Sequence, residues 1–181
     1  MVGNSGSGKT TLARRLATLL DVPYIELDAI YHQANWTPLA DDEFLHRVNQ
    51  ATAGSGWVTD GNYRVVQPLI WSRADLVVYF DLPRWLTTLR VTRRTLRRSA
   101  TREVLWNGNR EPVANFTRWD PERNVIRWSW VKHHENSTRY RAAAARRDPG
   151  DPAFFRIGNR KDVEVLLTSA NPANREHPGF H

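Results

Sequence analysis

The residues best equipped for chemistry stand at the start of the chain: Gly3-Asn4-Ser5-Gly6-Ser7-Gly8-Lys9-Thr10 is a complete G-x-x-x-x-G-K-[ST] phosphate loop. Its glycines let the backbone curl so that successive N–H groups face inward at phosphate oxygens, an approach a side chain would block. Lys9 can reach the β- and γ-phosphates as a point charge, and the Thr10 hydroxyl is placed to ligate Mg²⁺. Thr11 continues into a helix whose positive N-terminal end adds to the same site. The spacing predicts a nucleotide site with residues 3–11 as its cradle.

Acidic residues follow the predicted strands. Asp60 ends the apolar stretch Trp57-Val58-Thr59, where a carboxylate in a phosphate-loop fold suits Mg²⁺, directly or through water; Asp-Gly is also an ordinary turn dipeptide. Asp28, with Glu26 two residues before it, could bind metal, take a proton from an acceptor hydroxyl, or cap the next turn. Asp81 begins Asp-Leu-Pro, a natural helix lead-in. Arg90, Arg94, Arg97 and Arg98 fall three or four residues apart and would present a row of guanidinium groups from one helix. Phosphoryl transfer is mainly positioning and charge stabilisation, so arginines from a lid are expected, and Arg94 and Arg98 are the catalytic candidates. Arg102, Arg110, Arg118, Arg123 and Arg127 could reach in from the next loop and helix, Arg127 toward the acceptor. Of the tryptophans in this segment, Trp106 and Trp119 could stack on a ring; packing of a small lid explains the others. His133 and His134 are adjacent and face different ways on a helix, which does not suit a metal pair, and His32 and His46 show no ligand spacing.

The elements that must position these groups follow from pattern. Leu12, Leu16, Leu19 and Leu20 recur at helical spacing, predicting a helix from Lys9 to about Leu20. Pro23 to Leu27 is a short strand ending at Asp28, and Thr37-Pro38 starts a helix with Asp41, Asp42 and Glu43 in its first turn. Trp57 to Thr59 is a strand, a short helical stretch covers 65–71, and Leu76 to Phe80 is an apolar run suited to a strand covered on both faces. Pro83 opens a helix with Trp85, Leu86, Leu89 and Leu96 on one side; residues 103–119 are irregular, with turns at Asn107-Gly108-Asn109 and Glu111-Pro112. Asp120-Pro121-Glu122 starts a helix running to about Arg147; Phe154 to Ile157 is a last strand and Val163 to Leu167 a last helix. Strands alternating with helices predict an α/β sandwich with a mostly parallel sheet, whose ligands bind at the carboxyl ends of the strands. The loop, Asp28, Asp60 and Asp81 converge on that edge. Only Met1 and Val2 precede Gly3, too few for an ordinary first strand, so an apolar run upstream of Met1 is expected to complete it.

With 181 residues the chain is read as one domain over 1–169, a lid region at about 84–147 and a disordered tail over 170–181. There is no cysteine, which excludes disulfides and thiolate metal sites. The longest apolar run falls far short of a bilayer span and nothing resembles a signal peptide, so the expectation is a soluble cytoplasmic protein, monomer or homodimer, with no membrane partner. Of 26 basic residues 23 are Arg, and the segment from Arg84 to Arg141 holds thirteen Arg and one Lys against five acids, a net +9 within a chain of +7. Arg binds phosphate through a planar fork, which points to a polyanionic ligand, while part of these side chains simply solvate helix surfaces.

On these residues the chain resembles the adenylate-kinase-like group of phosphate-loop kinases, most closely the branch labelled "adenylate kinase and related kinases" or FlaR-type DNA topology modulation protein. The likeness rests on the stretch from Val2 to Ala13, Glu26-Leu27-Asp28-Ala29, Trp36-Thr37-Pro38, Asp60-Gly61-Asn62-Tyr63 and Leu105-Trp106-Asn107-Gly108-Asn109-Arg110-Glu111, and spans nearly all of 1–169. The resemblance implies a P-loop NTPase three-layer sandwich, a five-stranded parallel sheet with the first strand central, ATP as phosphoryl donor and an Arg-bearing lid. It implies Asp60 as the magnesium-side acid and Arg64 as a contact to an acceptor phosphate. Tyr31 stands where true adenylate kinases carry an acceptor-binding Arg, and Glu26-x-Asp28 is closer to the acid pair of shikimate- and gluconate-kinase-like enzymes.

The expected function is an ATP-dependent, adenylate-kinase-like phosphotransferase acting on a small acceptor, a nucleotide or other hydroxyl- or phosphate-bearing metabolite. Lys9 and the loop bind the triphosphate, Thr10 and Asp60 organise Mg²⁺, and Asp28 meets the acceptor. Two alternatives stand beside it: a nucleic-acid-associated protein, suggested by the local +9 but not by a basic tail, and a nucleotide-binding regulator without turnover.

Overall fold

The computed structural model describes residues 1–101, 103–109, 125–146, 148 and 150–175. The expected turn at Glu111-Pro112, the helix start at Asp120-Pro121-Glu122, Arg102, Arg110, Arg118, Arg123, Trp119 and the chain beyond 175 lie outside the described residues.

Every strand runs parallel to its neighbour. β1 (Val2–Gly3) pairs with β4 (Leu76–Phe80), which pairs with β5 (Ala153–Ile157). β2 (Tyr24–Glu26) pairs with β3 (Val58–Asp60), bringing Glu26 opposite Asp60. The two groups meet where β1 lies beside β3. There the Met1 amine donates to the Thr59 carbonyl, and the Gly61 N–H donates to the Met1 carbonyl at 3.2 Å. This slanted pair of bonds is a parallel rung, and the order is β2-β3-β1-β4-β5.

Within this sequence the first strand is the two residues Val2–Gly3, paired with Tyr79 and Phe80. A side chain helps complete it. Asn62 Oδ1 accepts the Gly3 N–H at 3.0 Å and Asn62 Nδ2 donates to the Gly3 carbonyl at 2.6 Å, the two bonds an adjoining strand would otherwise make. Tyr140, nearly fully buried, donates to Asn62 Oδ1 at 2.9 Å and fixes the amide's orientation. Beside the start of β1, a small cleft opens among Met1, Trp57, Thr59, Ile70, Trp71 and Val77.

Helices cover both faces. On one side α1 (Lys9–Leu20) and a helix over Arg160–Ala170 pack Leu12 and Leu166 against Val78, Phe80 and Ile157, while Ala13, Leu16 and Ala17 meet Val58. On the other, α2 (Leu27–Tyr31), α3 (Asp41–Ala51) and α4 (Gln67–Trp71) gather Leu27, Phe44, Val48, Val66 and Ile70 over Ile25. Val77 and Tyr79, alternating with Val78 and Phe80 along β4, face Tyr140 there. Tyr140 belongs to α6 (Val125–Ala145), which follows α5 (Arg84–Thr101) in the described chain; the Arg160–Ala170 helix is α7. These layers make the three-layer α/β sandwich of the P-loop NTPases.

Several boundaries differ from the sequence reading. The strand expected to reach Leu27 ends at Glu26, so Asp28 lies in the first turn of α2 rather than beyond a strand. The helix expected from Thr37-Pro38 begins at Asp41, because Pro38 is held in a bridge to His32. Residues 172–175, expected to be disordered, form a short helix, α8 (Pro172–Arg175). The largest departure is α5. Its buried residues are Thr87, Val91 and Thr95, while Trp85, Leu89 and Leu96 are 64%, 58% and 54% exposed. The Thr/Val face is used because α5 lies directly on the phosphate loop, where bulk does not fit. A Cβ on Gly6 would come within 2.4 Å of the Thr87 carbonyl and 2.8 Å of Val91 Cγ2.

Candidate active site

The phosphate loop leaves β1 and enters α1 through two left-handed glycines, Gly6 (φ 77) and Gly8 (φ 96), conformations that favour glycine. Gly8 is also the residue before α1, so the loop's curl and the helix's positive end share one turn. Asn4 points away from the cradle: its Oδ1 accepts from Asn136 Nδ2 at 3.1 Å, and its Nδ2 approaches Ser137 Oγ and the His133 carbonyl at 3.4 Å. Helix α6 thus anchors the loop from behind, and Asn4's part in the cradle is its backbone. The Ser7 hydroxyl is buried without a protein partner.

Behind the loop stands Asp60, 5% exposed. Thr10 Oγ1 donates to its Oδ2 at 2.6 Å and the Tyr24 hydroxyl to its Oδ1 at 2.8 Å. Burial lowers the Lys9 ammonium below its ordinary pKa, with Asp60 and Asp28 pulling the other way and Arg94 adding to the fall. The Thr10 hydroxyl and the Asp60 carboxylate, 2.6 Å apart, are hard oxygen donors of the kind that would hold a magnesium ion. Among the described residues no cluster of three or more His, Cys, Asp or Glu could hold a metal alone.

From the opposite side α5 brings arginines onto the loop. Arg94 Nη2 donates to Ser5 Oγ at 3.1 Å, and Arg90 Nη1 to the Ser7 carbonyl at 3.4 Å. Arg98, one turn further on, pairs with Glu103 at 3.5 Å, as does Arg97 at 3.3 Å. Arg127 lies near the start of α6, half-buried.

Of the acids after β2, Asp28 and Glu26 part company. Glu26 meets Arg14 of α1 at 3.1 Å. Asp28 Oδ1 accepts from the Tyr63 hydroxyl at 2.6 Å, and His32 Nε2 lies 3.3 Å from the same hydroxyl oxygen. Burial, then the Asp28 charge, drives the Tyr63 phenol far above its usual pKa, so it stays a donor. Burial lowers the His32 imidazole, with Asp28 opposing, and its Nδ1 is buried without a partner. Arg64 is engaged by Glu135 of α6, which also takes Lys132 at 2.7 Å.

Thus the loop, Thr10, Asp60, Arg94 and Arg90 are brought together, and Asp28 lies on the same strand edge with Tyr63. Glu26, Arg64 and Arg98 are turned to other partners. Sequence reasoning passed over Tyr63, His32, Tyr24 and Asn62. The stretch Asp60-Gly61-Asn62-Tyr63 carried the signal: its residues touch in turn Thr10, the Leu27 side chain, Gly3 and Asp28. Asp81 is a fastener. It takes Arg141 through two nitrogens at 2.6–3.1 Å and Arg156 at 2.8 Å, and although its burial works against ionisation these partners hold its carboxyl below the ordinary range.

Among known proteins, no family model matches the chain. A curated shikimate kinase of Novosphingobium aromaticivorans is 36% identical over 70 residues, which make up 39% of this chain and 33% of that protein. The chain therefore matches about a third of that relative's length. The crystal structure of a gluconokinase from Sinorhizobium meliloti 1021 superposes with a TM-score of 0.50 over 97% of this chain and 94% of that one, at 16% identity. The architecture built here from its strands and loop is the P-loop fold that this gluconokinase shares.

Proposed function

We propose that the protein is an ATP-dependent phosphotransferase that moves the γ-phosphoryl group of ATP to a hydroxyl of a small metabolite. The observation that carries this reading is the convergence at one loop: Thr10 bonded to Asp60 on one side, and Arg94 and Arg90 laid on Ser5 and Ser7 from the other. The likeness to a shikimate kinase and the shared fold of a gluconokinase support it. Lys9 and the loop amides would bind the triphosphate, and Thr10 and Asp60 would hold Mg²⁺. The ion supplies charge neutralisation on the β- and γ-phosphates. Arg94 and Arg90 would meet charge building on the transferring group. Tyr63 occupies Asp28 Oδ1 and leaves Oδ2 to take the acceptor's proton as its oxygen bonds to phosphorus and ADP departs.

A metabolite hydroxyl is preferred to a nucleoside monophosphate on two grounds. Tyr31 stands where an arginine would be wanted, and Arg64, the other expected phosphate contact, is held by Glu135. Four arginines of α5, Arg90, Arg94, Arg97 and Arg98, are likewise engaged with the loop or Glu103, an arrangement that favours a lid over a nucleic-acid track. The reading places the protein in the cytoplasm, where ATP is made; no described helix is long and apolar enough to cross a membrane.

The test is Lys9→Ala. ADP release from Mg²⁺·ATP, assayed with a panel of sugars, polyol acids, nucleosides and nucleoside monophosphates, should fall by at least about a hundredfold, the scale of losing one preorganised charge contact. Near-UV circular dichroism should be unchanged. Turnover equal to wild type would overturn the assignment.

A further inference from the structure

Two short turns far apart in sequence have the same construction. The 3₁₀ turn Ala34–Trp36 and the 3₁₀ turn Trp106–Gly108 each carry a central asparagine in the left-handed region, Asn35 (φ 57, ψ 30) and Asn107 (φ 53, ψ 35). They are locked face to face. Asn109 Oδ1 accepts the Trp36 N–H at 2.9 Å and its Nδ2 donates to the Gln33 carbonyl at 2.8 Å. Asn107 Nδ2 donates to the His32 carbonyl at 2.6 Å and reaches the Ala29 carbonyl at 3.3 Å. Asn109 is 4% exposed, so its amide is spent wholly on this junction. The rings close over it: His32 stacks on Trp106 with centroids 6.2 Å apart at 23°, and Trp36 meets both edge-on.

Each side of the junction leads to a different half of the candidate site. On the first, His32 lies against Tyr63, whose hydroxyl is bonded to Asp28. On the second, Leu105 N–H closes the turn on the Asn109 carbonyl at 2.6 Å. Glu103, just before it, takes Arg97 and Arg98 and bonds through its own N–H to the Arg98 carbonyl at 3.2 Å. That ties the turn to the end of α5, the helix that lays Arg90 and Arg94 on the phosphate loop.

We propose that Asn109 and Asn107 are positioning residues that clasp the Asp28 loop to the arginine helix, so that a nucleotide drawing Arg90 and Arg94 inward also sets the His32–Tyr63–Asp28 row for the acceptor. The clasp rests on the phosphotransferase reading for its purpose. It acts through other side chains: neither asparagine touches a reacting atom. Its consequence is that the phosphate loop and the Asp28 row respond together when nucleotide binds.

Hydrogen exchange on the full chain tests this, with and without Mg²⁺ and the non-hydrolysable analogue AMP-PNP. In the wild type, the analogue should slow exchange by about tenfold or more both in residues 3–12, at the loop, and in residues 29–39, beyond its reach. In Asn109→Ala the slowing at 3–12 should remain and that at 29–39 should disappear. Asn107→Gly, which deletes an exposed side chain while keeping its backbone conformation accessible, should behave the same way and guards against a variant that fails to fold. Protection at 3–12 alone in the wild type, or persistent distal protection in both variants, overturns the clasp. No protection in either segment of the wild type would defeat the nucleotide reading together with it.

Discussion

His32 occupies a place that disfavours its charge, and this has a measurable sign. Burial is the larger effect, the Asp28 carboxylate the smaller opposing one, and the folded imidazole titrates below its ordinary value. Below about pH 6.5 the unfolded chain takes up a proton here that the folded chain refuses, so stability falls as pH drops through that window. His32→Gln should flatten that part of the curve in urea titrations at pH 5 to 7; an unchanged slope would mean the ring is solvated. Lys9 shows the complementary situation. Its buried ammonium leans on Asp60 and Asp28 for the charge it retains, and the anionic ligand for which the loop is shaped would add to that support.

Among elements, the contact of α5 with the phosphate loop is the tightest constraint. Gly6→Ala would drive a methyl to 2.4 Å from the Thr87 carbonyl and also force a left-handed alanine. Expected are a loss of stability beyond about 2 kcal/mol in chemical denaturation and loss of nucleotide affinity, since α5 must move off the loop. The same contact shows what sequence could and could not tell. The loop, α1 and Asp60 at the end of β3 were legible because spacing alone defines them, whereas Asp28, expected just past a strand, lies in the first turn of α2. The buried face of α5 was not, because hydrophobic periodicity names the greasier side and the loop demanded the narrower one. The partners that Glu26 and Arg64 take, Arg14 and Glu135, were not legible either, because they are set by packing. Asn62 could not be read as a substitute strand before the short β1 beside it was seen.

For the molecule as a whole, a ligand that binds only the folded form raises its melting temperature. At a hundred times its Kd the gain is about 2.7 kcal/mol, and a chain of this size should then melt roughly 5–10 °C higher. Differential scanning fluorimetry with Mg²⁺·ATP should show this, with a clearly smaller rise when EDTA removes the metal; equal rises would argue against Thr10 and Asp60 as its holders. Such a ligand would also bear on the join of β3 to β1, where Asn62 holds Gly3 through both of its amide atoms. Thr10 follows one strand and Asp60 ends the other, and their 2.6 Å hydrogen bond is a further crossing of that join. A divalent cation held by the same two groups would draw it tighter, so that loading the site and bracing the sheet become a single event.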